Sequence, residues 1–121
     1  MKQCLIVDDS RVIRKVARRI IESLNFSIEE AEDSAAAIEI CRRKMPEAIL
    51  LDYNIPNFSG AEFLRALRRE PGGDKPIVVF CTTDNDISQI TEAISAGAND
   101  YIMKPFDRGI VEAKFTEVGL M

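Results

Sequence analysis

Ala48-Ile49-Leu50-Leu51-Asp52-Tyr53-Asn54 carries four apolar residues straight into an acid. A run this short, with no polar alternation, reads as a strand buried on both faces, because a half-exposed strand would alternate. Other runs share the form. Cys4-Leu5-Ile6-Val7 ends at Asp8-Asp9-Ser10, Ile77-Val78-Val79-Phe80 leads to Thr82-Thr83, and the brief Tyr101-Ile102-Met103 ends at Lys104-Pro105. A weaker strand is read near Phe26 to Ala31.

Between these runs the apolar residues recur at helical spacing. The first helix is expected to turn Ile13, Val16, Ala17, Ile20 and Leu24 inward, with Arg11, Lys15 and Arg18 on another face. The second spans Ser34 to Lys44 and buries Ala37, Ile38 and Cys41. The third uses Phe63, Leu64 and Leu67, and the fourth Ile87, Ile90, Ala93 and Ile94. The fifth follows Pro105-Phe106-Asp107 and carries Val111, Phe115 and Val118, with Gly109 weakening its start. Asp9 or Ser10, Asp33 and Asp107 stand where N-caps belong. Pro46, Pro71-Gly72-Gly73 and Ala96-Gly97 end the second, third and fourth helices.

Five strand-helix units in strict alternation imply a parallel sheet with helices on both faces, since each crossover must pass over the sheet. Right-handed crossovers make it an α/β fold, a doubly wound three-layer sandwich. The 121 residues are one domain's worth, with no linker or internal repeat, so residues 1–121 are expected to form a single domain with no effector domain attached. A chain of this size buries roughly two-thirds of its unfolded surface, and 46% hydrophobic residues suffice to fill the core.

The net charge of -4 argues against a direct nucleic-acid binder. No apolar run reaches the roughly 18 residues of a membrane span, and no signal peptide opens the chain, so a cytoplasmic location is expected. Cys4, Cys41 and Cys81, odd in number and widely spaced, suit a reduced interior rather than disulfides or a zinc site. The sequence has no His, which excludes a Ser-His-Asp hydrolase, a His-ligated metal enzyme and a phosphohistidine carrier.

Ligands of an open parallel α/β sheet gather beyond the C-terminal ends of the strands. That edge receives Asp8, Asp9 and Ser10, then Asp52 and Asn54, then Thr82 and Thr83, then Lys104. Alone, each has an ordinary structural role: helix cap, loop acid, strand former, surface charge. Their arrival at four strand ends of one edge is what carries meaning. Carboxylates held together raise one another's pKa or attract a cation. Oxygen donors without sulfur or imidazole suit Mg2+, with Mn2+ an alternative. Carboxylates, a hydroxyl and a lysine together suit a phosphoryl group, with one carboxylate as the nucleophile.

The same residues carry a resemblance that spans the whole chain. Leu5-Ile6-Val7-Asp8-Asp9-Ser10, Ile49-Leu50-Leu51-Asp52-Tyr53-Asn54-Ile55-Pro56, Gly60, Thr82-Thr83, and Ala96-Gly97-Ala98-Asn99-Asp100-Tyr101-Ile102-Met103-Lys104-Pro105-Phe106 resemble the CheY-like receiver domains of two-component response regulators. The resemblance implies a flavodoxin/CheY-like fold with strand order 2-1-3-4-5. It implies that Asp52 is the phosphoacceptor. Asp8, Asp9 and Asp52 would ligate Mg2+ with the Asn54 main-chain carbonyl, and Lys104 and Thr82 would bind the phosphoryl group. It casts Thr82 and Tyr101 as switch residues and Asn54, Thr83 and Asp84 as tuners of phosphoryl lifetime, and it makes Lys104-Pro105 a cis bond. Thr83 stands where the family usually has Ala or Gly and is expected to narrow access to Asp52.

The function implied is a phosphorylation-activated switch or phosphorelay carrier rather than a turnover enzyme. Its expected partners are a sensor histidine kinase or histidine phosphotransfer protein, and a downstream target on the surface of the fourth helix, fifth strand and fifth helix. The basic stripe Arg11, Arg14, Lys15 and Arg18 reads as a solvated face or as a dock for an acidic patch on the histidine-bearing partner. A monomer or a weak phosphorylation-dependent dimer is expected. Competing readings are a small Mg2+-dependent phosphohydrolase, a flavodoxin-like cofactor carrier and a receiver excised from a longer regulator. The phosphohydrolase would want Asp-x-Asp after the first strand, where Asp8 and Asp9 are adjacent, and those acids would repel a flavin phosphate.

Overall fold

A computed structural model describes residues 1–83 and 87–121. Strands β1 (Gln3–Val7), β2 (Ser27–Ala31), β3 (Ala48–Asp52), β4 (Ile77–Thr82) and β5 (Asp100–Met103) alternate with helices α1 (Arg11–Ser23), α2 (Ser34–Arg43), α3 (Gly60–Arg69), α4 (Ile87–Ala96) and α5 (Arg108–Glu117). The strands form one sheet in the order β2-β1-β3-β4-β5, and every pairing is parallel.

Alternation along each strand sends side chains to two separate cores. Leu5, Val7, Ile49, Leu51, Val78 and Phe80 pack with α2, α3 and α4. Cys4, Ile6, Ala48, Leu50, Val79 and Cys81 pack with Ala17 and Ile21 of α1 and Val111 and Phe115 of α5. The central strands are therefore buried on both faces, which is why their sequences run apolar without a break. β2 sits at an edge and alternates, with Ser27 and Glu29 exposed, and this explains its weaker signal.

Three expected caps form: the Ser10, Asp33 and Asp107 side chains accept the N–H groups of Ile13, Ala36 and Ile110. Ser10 takes the position at α1 that Asp9 also suited. A fourth cap, the Ser59–Glu62 capping box of α3, is reciprocal.

Two helix faces differ from expectation. Val16 is 45% exposed and Ile21 is fully buried. α1 lies on the sheet through small Ala17, so the buried stripe runs through positions 17, 21 and 24 and leaves Val16 on the flank. In α4, Ile87 and Ile94 are exposed, because the helix rests on Ala93 and Ala96.

Candidate phosphoryl-acceptor site

β1, β3 and β5 end side by side with β4 at one edge of the sheet, and their next residues meet there. Asp8 is buried. Its backbone N–H donates to Ala31 O at 3.1 Å, and its Oδ1 accepts the Ser10 N–H at 2.9 Å. Arg14 reaches the Asp8 carbonyl at 2.7 Å and Glu30 Oε1 at 3.0 Å. It is thus tucked under the site, not part of a solvated stripe, whereas Arg11 and Lys15 remain exposed.

Asp52 closes β3, and its side chain is 12% exposed. Lys104 Nζ lies 2.7 Å from Asp8 Oδ2 and 3.2 Å from Asp52 Oδ1, so one ammonium serves two carboxylates. The lysine follows β5, its N–H donates to Thr82 O at 2.9 Å, and the Lys104-Pro105 bond is cis. Burial pushes the Asp52 carboxyl above its usual range and the Asp8 charge adds to this, while Lys104 and the Asn54 N–H oppose it. Burial pulls Lys104 down, but the Asp8 hydrogen bond and the charges of Asp52 and Asp8 outweigh it, so its pKa is raised.

Asp8, Asp9 and Asp52 each bring a carboxylate oxygen to within 4.8 Å of the others. This donor set is all hard oxygen, the chemistry Mg2+ prefers, so the residues present fit that ion. The loop after Asp52 is held at both ends: Tyr53 N donates to Cys81 O at 3.1 Å, and Gly60 N donates to Tyr53 O at 3.3 Å. A Cβ on residue 60 would sit 3.1 Å from that carbonyl, which explains glycine at this close approach.

The other expected site residues fall as follows. Thr82 is buried at the end of β4, and its hydroxyl donates to Gln89 Oε1 of α4 at 3.4 Å. Thr83 is exposed. Tyr101 is half-buried and tilted against Phe80, with ring centroids 5.8 Å apart. Asp84 lies outside the described residues. Sequence reasoning missed Tyr53, whose phenol donates to the Glu92 carboxylate of α4 and whose ring lies 6.1 Å from that of Phe80. Its position after Asp52 was visible, but nothing in the sequence paired it with a residue 39 positions away.

Residues 4–115 match the response regulator receiver domain family. The chain belongs to that family. This receiver domain is 37% identical over 102 residues to the response regulator MprA of Mycobacterium sp. (strain KMS), a match covering 84% of this chain and 44% of that protein. It is 39% identical over 102 residues to MprA of Mycobacterium leprae, with the same coverage of each. The receiver domain thus spans less than half the length of the curated relatives it matches. Among solved structures, the chemotaxis response regulator CheY4 of Vibrio cholerae superposes with a TM-score of 0.92 at 25% identity, covering 98% of both chains. The receiver domain of the Pseudomonas aeruginosa sensor histidine kinase PA1611, which has a magnesium ion coordinated in its active-site cleft, gives 0.89 at 25% identity and the same coverage. The receiver domain described here is a phosphorylation-activated switch of two-component signalling, of a family that binds Mg2+ at an acidic site. Its five parallel strands in the order 2-1-3-4-5 are those of the CheY-like fold.

Proposed function

We propose that Asp52 is the phosphoacceptor of this receiver domain, and that the single observation carrying this reading is the Lys104 ammonium shared between Asp52 and buried Asp8. The Lys104 contact favours the ionised Asp52 carboxylate, the form that attacks, against the burial and the Asp8 charge that push its pKa up. An Asp52 carboxylate oxygen supplies the electron pair for a new P–O bond. The P–N bond of a partner's phosphohistidine breaks, its electron pair stays on the imidazole, and the product is an aspartyl phosphate. With acetyl phosphate the bond that breaks is P–O, and acetate leaves. Asp8, Asp9, Asp52 and the Asn54 carbonyl would hold Mg2+, which when bound neutralises phosphoryl oxygens. Lys104 provides a point charge on the other side, and Thr82 turns its hydroxyl toward the new group.

The phosphoryl charge then draws Thr82 and Tyr101 inward and alters the surface of α4, β5 and α5. Such a shift acts only through partners that bind the two states differently. The proposed partners are a sensor histidine kinase or histidine phosphotransfer protein upstream, drawn to Arg11 and Lys15, and a target protein on the altered face downstream, with self-association weak and phosphorylation-dependent. Residues 1–121 act in this reading as one receiver unit that catalyses only its own modification, in the cytoplasm. Two observations support that location: all three cysteines are free and buried, and no helix among the described residues is long and apolar enough to cross a membrane. Asn54, Thr83 and Asp84 set the lifetime of the phosphoryl group.

The test is intact-protein mass spectrometry after incubation with acetyl phosphate, with and without Mg2+. Wild type should gain one phosphoryl group only with Mg2+, and Asp52→Asn should gain none. Labelling of the variant at the wild-type rate would sink the assignment.

A further inference from the structure

The site is joined to α4 by two side chains on one helix face. Gln89 and Glu92 are spaced i, i+3 and so project together. Gln89 accepts the Thr82 hydroxyl, and Glu92 accepts the phenol of Tyr53, the residue that follows Asp52. Phe80 lies between the Tyr53 and Tyr101 rings in contact distance, with centroids 6.1 and 5.8 Å away, and shares a core with Ala93 and Ala96 of this helix. Tyr53 is further fixed through its backbone to Cys81 and Gly60, so its ring is a stiff arm from the site to the helix.

We propose that Glu92 is a positioning residue: by accepting the Tyr53 hydroxyl it ties α4 to the edge of the Asp52 site and favours the unphosphorylated arrangement. This inference rests on the reading of Asp52 as phosphoacceptor. Two physical effects make the tie depend on state. A phosphoryl group turns the singly charged Asp52 carboxylate into an acyl phosphate of about two negative charges, and the charge added beside Tyr53 repels the Glu92 carboxylate that the phenol holds nearby. In addition, the Thr82 hydroxyl has one hydrogen to give, so donation to a phosphoryl oxygen ends donation to Gln89 and removes the neighbouring fastening. A contact stronger in one state opposes whatever stabilises the other, and the opposition is reciprocal. Occupancy of the site therefore loosens the tie, and loosening the tie strengthens occupancy.

The experiment titrates the whole chain with beryllium trifluoride, a phosphoryl analogue, at saturating Mg2+, reading bound fluoride by 19F NMR. Glu92→Ala removes both the acceptor and the charge, and should lower the titration midpoint about threefold. Glu92→Gln keeps an acceptor without the charge and should fall between Glu92→Ala and wild type. Tyr53→Phe should also tighten binding, and adding it to Glu92→Ala should change nothing more, because the two act through one contact. A residue that serves only stability would lower the melting temperature and leave the midpoint where it was. Unchanged midpoints in Glu92→Ala and Tyr53→Phe, with wild type still binding in an Asp52-dependent way, would overturn the inference alone. Wild-type binding that survives Asp52→Asn unaltered, or no wild-type binding at all, would overturn it together with the phosphoacceptor reading.

Discussion

Lys104 stands between two carboxylates that would otherwise face each other across a few ångströms, and its side chain is only 14% exposed. Removing one member of a buried charge cluster costs more than the cluster's net worth, because the remaining charges stay desolvated. Lys104→Ala is therefore expected to lower the unfolding free energy by about 3 kcal/mol. A divalent cation that binds the folded acid cluster stabilises it by mass action. Saturating Mg2+ should raise the melting temperature of wild type, and should raise that of Lys104→Ala further, since the cation then replaces the missing positive charge. Thermal denaturation with and without Mg2+ reads both effects, and equal shifts in the two proteins would mean that lysine and metal do not share these carboxylates.

At the scale of the element, α1 separates pattern from packing. Ile21 is fully buried against the sheet while Val16, five residues earlier, is 45% exposed. Ile21→Ala should cost about 3 kcal/mol through lost burial and the cavity left behind. Val16→Thr should stay within about 0.5 kcal/mol of wild type. Urea unfolding of both variants checks the assignment of the buried stripe. The same helix is tied to edge strand β2 by charge, with Arg14 Nε 3.0 Å and Arg18 Nη1 2.5 Å from the Glu30 carboxylate. Burial pushes the Glu30 carboxyl up, but hydrogen bonds and charge from Arg18 and Arg14 outweigh it and hold it below its ordinary value of 4.5. A folded-state pKa below the unfolded one gives stability that is complete above the unfolded value and is lost as pH falls through the folded one. Glu30→Gln should therefore show a shallower loss of melting temperature between roughly pH 5 and pH 3 than wild type. Parallel profiles would show that the α1–β2 ion pair adds nothing in this range.

Over the whole molecule, Arg68 joins parts that are far apart in the chain. Its guanidinium donates to Gly73 O and Pro76 O, both at 2.8 Å, to Gly97 O at 2.6 Å and to Asn99 Oδ1 at 3.1 Å. Asn99 Oδ1 in turn accepts the Val78 N–H at 2.8 Å. One side chain of α3 thus fastens the turn into β4 and the turn between α4 and β5. Gly97, at φ +126°, has a backbone that other residues rarely adopt, and a Cβ there would meet Arg68 at 2.9 Å. Arg68→Met keeps the stem but strands several backbone acceptors, and should cost about 3 kcal/mol in urea unfolding with an unchanged denaturant slope. A changed slope would mean that the fold no longer opens as one unit.

How much of this was written in the sequence differs between strands, helix faces and contacts. Strand runs, helix caps and the acids, hydroxyl and lysine at the strand ends are local or periodic properties. Ala48-Ile49-Leu50-Leu51-Asp52 already states a strand buried on both sides that ends in a carboxylate, and parallel winding already sends such ends to one edge. Which flank of a helix touches the sheet is not a local property. Val16, Ile87 and Ile94 satisfied the apolar spacing, yet α1 and α4 rest on Ala17, Ala93 and Ala96, and where a helix settles depends on how closely small residues let it approach. Long-range polar contacts were equally out of reach: Arg14 under Asp8, Arg68 on Gly97, and Tyr53 on Glu92. The sequence by itself determined the order of elements and the chemistry at their ends, because these follow from spacing and residue type. Only the tertiary structure decided which charges share a partner and which helix holds the site, because those depend on distances between segments that no periodicity encodes.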